Sequence, residues 1–131
     1  MLRADPTRID LGFIPGDPVD VLVPILDDNQ DPVEITSGQA ASWAAKASVR
    51  RNEASTVVLH EWSTVAAPTK CVIVPGTPAN VHLLATSAET AAWQDVWPEW
   101  VAHWDLQVTP PGIDPQTIAA GQICLRPQYT H

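Results

Sequence analysis

From Trp100 to Thr109 the chain reads WVAHWDLQVT, in which Trp100, Ala102, Trp104, Leu106 and Val108 alternate with Val101, His103, Asp105 and Gln107. Two tryptophans four residues apart also suit one face of a helix, but a helix would carry Ala102 and Leu106 off that face. An alternating register captures all five apolar positions. Pro98 before the segment and Pro110-Pro111-Gly112 after it leave room for only a short helix. The segment is therefore predicted to be a strand with Trp100 and Trp104 turned into a core. Fully burying one such ring contributes about 2–3 kcal/mol.

The same parity test organises the rest of the chain. In DPVDVLVPILDDNQDPVEIT, residues Val19, Val21, Val23 and Ile25 alternate with Asp20, Leu22, Pro24 and Leu26, which predicts a strand followed by an acidic turn. Pro24 cannot donate to a ladder and so belongs on an edge or facing away from the pairing. Ala40–Arg51 is rich in alanine, yet turn-like flanks and the series Trp43, Ala45, Ala47, Val49 favour a strand. Thr56–Trp62 is a β-branched strand forming a hairpin with it. Lys70–Val74 and Asn80–Leu84 are two more, separated by Pro75-Gly76-Thr77-Pro78. Ser87–Pro98 differs: Ser87 is placed as the cap of a short helical crossover that Pro98 stops. In Thr117–Leu125 the apolar parity is interrupted at Gly121, where a bulge is expected to restore it before Ile123. Residues 1–16 form an extended N-terminal arm with Leu11, Phe13 and Ile14 available for docking. The expected fold is all-β: an immunoglobulin-like antiparallel β-sandwich of about seven strands over residues 17–131, with a helical crossover near 87–97. The expected core includes Val21, Val23, Trp43, Trp100, Trp104, Leu106 and Ile123.

A chain of 131 residues is sized for one domain that needs no metal or disulfide to fold. Its 13 prolines are spread out and read as punctuation between short elements. Fifteen acidic against seven basic residues give a net charge of −8, which argues against a nucleic-acid or anionic-membrane surface. The start, MLRADPTRID, lacks the apolar segment of a signal peptide. Cys71 and Cys124 lie in separate apolar stretches and are expected as free core thiols.

Catalytic and metal motifs are weak. The glycines are scattered singly, and no CxxC, HxxxH, HExxH or GxSxG run occurs. His60-Glu61 and His103/Asp105 could meet across strands as a metal site, but surface-facing strand histidines are the favoured reading. The run Asp27-Asp28-Asn29-Gln30-Asp31 reads as a solvated turn, since it lacks the spaced carboxylates and closing glutamate of a calcium loop. No catalytic residue, metal or cofactor is expected. Trp93 and Trp97 share a helical face at spacing four. They either cover one end of the sandwich or protrude as partner anchors or a sugar-stacking platform. With Leu11, Phe13 and Ile14 they complete the candidate interface.

The order of these features, PGDPVDVLVPILDDNQDPVEIT, then TSAETAAW, then WDLQVTPPG and TIAAGQICLRPQYT, resembles the small immunoglobulin-like domains of tailed-phage baseplate and minor tail proteins. In that pattern a strand ending in DLQV passes through a Pro/Gly turn to a last strand of the form T-hydrophobic-x-x-G-x-hydrophobic, matched here by Trp104–Val108 and Thr117–Leu125. The middle, Ala40–Pro78, carries no matching pattern. The resemblance implies a structural component of a virion, assembled in the host cytoplasm and binding other virion proteins and copies of itself. It does not imply an enzyme, and the acidic charge argues against a nucleic-acid or membrane partner. An arm unable to bury Leu11, Phe13 and Ile14 on its own core would order only on assembly. The alternatives are a carbohydrate-binding module for a host cell-wall glycan and a capsid decoration protein.

Overall fold

The structure, a computed structural model, describes residues 7–27, 29–51, 58–64, 70–96 and 101–125. Within them lie strands β1 (Thr7–Arg8), β2 (Leu11–Phe13), β3 (Val19–Pro24), β4 (Ala44–Arg50), β5 (Val58–Ser63), β6 (Lys70–Val74) and β7 (Asn80–Ala85). Helix α1 (Ser87–Val96), β8 (Val101–Thr109) and β9 (Gln116–Leu125) follow, and a 3-10 turn at Ala40–Ser42 precedes β4. The seven predicted strands correspond to β3–β9. The larger sheet has the order β1-β9-β8-β4-β5, with β2 also on β9, and the smaller sheet is β3-β7-β6. The two sheets enclose one core.

Parity sets the faces as the sequence requires. In β8, Ala102, Trp104, Leu106 and Val108 are buried, while Val101 is exposed and His103, Asp105 and Gln107 are half-buried. Facing them across the core are Val19 and Val23 of β3, Ile73 of β6, and Val81 and Leu83 of β7. Leu106 and Ile123 are fully buried, while Val21 and Trp43, both expected in the core, are half-buried and pack at its margin. Trp100 lies outside the described residues. Pro24 is exposed on β3, an edge strand of the smaller sheet, where its missing N–H costs no ladder bond.

Four expectations are corrected. The arm is not a detached element awaiting a neighbour: β1 and β2 are strands of the larger sheet, and Leu11 and Phe13 are half-buried against this chain's own core. The fold is not wholly antiparallel, because both strands pair with β9 in parallel. The helix is capped one residue earlier than expected: Thr86 Oγ1 accepts the Glu89 N–H at 3.2 Å and Glu89 Oε1 accepts the Thr86 N–H at 3.0 Å, a reciprocal capping box. Finally, the β8–β9 register shift lies at Ile118 and not at Gly121. Leu106 pairs with Ala119 and Gln107 with Thr117, so Ile118 is the extra residue, and Ile118 and Ala119 are both buried.

Candidate functional site

Gly121 has a different role, and it lies at the centre of the most specific arrangement in the molecule. β1 and β2 keep one register offset on β9, from Thr7 opposite Ala119 to Phe13 opposite Leu125, with the ladder interrupted at Ile9 and Asp10. Just past β1, Ile9 sits over Gly121, and a Cβ on Gly121 would overlap the Ile9 carbonyl oxygen, with the carbonyl carbon at 2.7 Å. Only glycine permits this approach. In a regular parallel ladder Ile9 would donate to Ala120 and accept from Gln122. The first bond is kept, with Ile9 N to Ala120 O at 2.9 Å. The second is rewired: the Ile9 carbonyl accepts the Trp104 indole N–H at 2.8 Å, and the Gln122 N–H goes to Asp10 Oδ1 at 3.0 Å. The Gln122 bond holds the Asp10 carboxyl below its usual pKa, against a smaller opposing effect of desolvation and with help from Arg8. Arg8 Nε lies 3.4 Å from Asp10 Oδ1 with both side chains largely in water, so that pair adds little.

Past this slot the chain reaches an aromatic cluster beneath α1. Phe13 of β2 lies 5.9 Å between centroids from Trp93 of α1, which meets Trp62 of β5 edge-on at 5.8 Å. His60 of β5 is wedged against Trp62 at 4.5 Å and Trp93 at 4.8 Å. Its Nε2 is buried without a hydrogen-bond partner. Burial pushes the His60 pKa down, opposed by the charges of Glu89 and Glu61. Trp62 donates its indole N–H to the Leu84 carbonyl at 2.9 Å. Fully buried Thr90 clamps the link between β2 and β3, since its Oγ1 accepts the Gly16 N–H at 2.9 Å and lies 2.8 Å from the Asp17 carbonyl to which it donates.

Trp93, a candidate interface residue, is therefore corrected: at 4 % exposure it belongs to the core and cannot serve as a sugar-stacking surface. Trp97 lies outside the described residues. Ile14 is exposed at the link. His60 is also corrected from surface-facing to inward. It is thereby separated from Glu61, His103 and Asp105, whose positions in β5 and β8 face outward, and no group of three or more ligating side chains forms among the described residues. Asp27 closes its turn by accepting the Asn29 and Asp31 N–H groups, each at 2.9 Å.

The outer face of the larger sheet carries balanced pairs, Lys46–Glu61 at 3.9 Å and Arg50–Asp105 at 3.3 Å. Between them, Ser48 pairs in register with both Glu61 and Asp105. On the smaller sheet, exposed Leu22 and Val72 flank His82, whose Nε2 is hydrogen-bonded to Asp20 Oδ1. A cavity of about 480 Å³ opens between the 3-10 turn and β6, lined by Trp43, Thr64 and Cys71 among others. Burial pushes the Cys71 thiol up to about 11, which keeps it protonated and unreactive at neutral pH. Both cysteines are free, Cys71 buried and Cys124 only half-buried, so Cys124 is not the core thiol expected.

Sequence reasoning missed Ile9, Asp10, Gly121 and Thr90. The signal for the first three was a glycine in a buried strand, which marks close backbone approach as readily as a bulge. No family model matches this chain, and a search of curated proteins finds no relative.

Proposed function

We propose that this chain is an immunoglobulin-like domain serving as a structural subunit of a tailed-phage virion, in the tail tip or baseplate, and acting by protein–protein association. The strand order carries the fold half of the reading. Sheet β9-β8-β4-β5, with a parallel N-terminal strand on β9, faces β3-β7-β6. This order supports the immunoglobulin-like reading, in which β5, β4, β8 and β9 take the places of C′, C, F and G, and β3, β7 and β6 those of B, E and D. The functional half rests on the sequence resemblance, because a fold by itself assigns no activity. It is supported by where the resembling motifs fall: DLQV, the Pro/Gly turn and TIAAGQICL make up the β8–β9 hairpin, and this hairpin holds the N-terminal strands.

The test is to raise an antibody against the purified chain and probe infected-cell lysate and gradient-purified particles. The expected result is co-sedimentation of the chain with tails, at a stoichiometry that is a multiple of the tail symmetry. Presence in the lysate with absence from every particle fraction would overturn the reading.

A further inference from the structure

The slot along β9 is selective. It requires a backbone that drops onto Gly121, a carbonyl that reaches the Trp104 indole, and an acceptor side chain on the next residue for the Gln122 N–H. Apolar side chains must follow at the positions of Leu11 and Phe13. Residues 7–13 meet every condition, and a second copy of this chain offers the same residues.

We infer that the slot accepts residues 7–13 of a neighbouring copy in place of its own, so that subunits are joined by exchanged N-terminal strands. The inference deepens the assembly reading above by naming the partner segment and its seat. The ladder and side-chain hydrogen bonds described for the segment run to β9 or to Trp104 of β8. Strand transfer keeps those bonds and changes only which copy supplies them, the condition under which exchange between identical chains is cheap.

The link suits a pivot. Thr90 fixes Gly16 and Asp17, and Pro15 is buried, whereas Ile14 is exposed. The strand can therefore leave at Ile14 without unseating the clamp, at the cost of the Asp17 N to Ile14 O turn bond of 3.0 Å. Pro15 already biases Ile14 toward extended backbone. An emptied slot leaves the Gln122 N–H and the buried Trp104 N–H unmatched along an open edge, and both favour refilling. Reciprocal exchange closes a twofold dimer, while head-to-tail exchange builds a ring or a filament.

The register provides the test. Gly12 lies directly opposite Cys124, a spacing that a disulfide spans. The full-length chain carrying Gly12→Cys is equilibrated over a range of concentrations, oxidised, and separated without reductant. The expected product is a reducible covalent dimer whose share rises several-fold with concentration and vanishes when Cys124→Ser is added. Cross-linking only within one chain at every concentration would overturn the inference, as would the absence of any cross-link. A second variant guards against an unspecific dimer: adding Gly121→Ala shuts the slot, so a dimer persisting there would also overturn it. The wild-type chain, examined by light scattering over the same range, supplies a measurement free of substitutions, and a strictly monomeric result would count against exchange. These experiments use purified protein, so an exchanged dimer from a chain never found in particles would overturn the virion placement alone.

Discussion

Trp104 donates its indole N–H to the carbonyl of Ile9, 95 residues earlier, at 2.8 Å. This inward ring of β8 thus both fills the core and holds the segment that joins β1 to β2. Trp104→Phe keeps much of the ring and removes the donor. It is expected to lower stability by about 1–3 kcal/mol, read by urea denaturation, and to speed amide hydrogen exchange selectively in residues 7–13. Equal stability loss with no local change in exchange would show that the bond does not secure the strand.

Gly121→Ala places a methyl group on the Ile9 carbonyl, and neither backbone can yield cheaply. The expected cost is about 1–3 kcal/mol, with limited proteolysis released near residues 7–14. Gly38→Ala is the matched control, since nothing lies within 4 Å of its Cβ position, and its denaturation midpoint is expected to stay close to wild type.

Thr86 and Glu89 form one reciprocal unit. Thr86→Ala is expected to cost about 1 kcal/mol. The double variant with Glu89→Ala should cost less than the sum of the two single changes, because each substitution removes one bond directly and loosens the geometry that holds the other. Additive losses from a double-mutant cycle would separate the two caps.

His60 gives a pH dependence of defined sign. Burial lowers its folded-state pKa below the ordinary 6.5, so the unfolded chain takes up the proton first. The stabilising contribution of the neutral ring is full above pH 6.5 and is lost as pH falls toward the folded-state value. Glu89 on α1 and Glu61 on β5 pull the pKa the other way and narrow that window. Urea midpoints measured from pH 8 to 5 are expected to fall more steeply for wild type than for His60→Phe, and parallel curves would refute the assignment.

Strand identity was legible because parity along WVAHWDLQVT admits one apolar face, and the same holds for β3 and β7. The first strands were not. Residues 7–13 are short and weakly patterned, and their partners lie 112 positions later, a separation that local pattern cannot bridge. The role of Trp93 was hidden for a similar reason, since its neighbours Phe13, Trp62 and His60 come from distant segments. Its spacing of four residues from Trp97, which lies outside the described residues, carried no sign of what covers Trp93. The cap was misplaced by one position because Thr86 and Ser87 are both good N-caps, and only the reach of Glu89 distinguishes them.

Because β1 and β2 run alongside β9 in the same direction, residue 7 and residue 125 sit at opposite ends of one seam. Tension drawn between them would act lengthwise along that seam in shear. The bonds at Ile9, Asp10 and Trp104 would then share the load together instead of unzipping in turn, so the seam would resist lengthwise tension better than peeling.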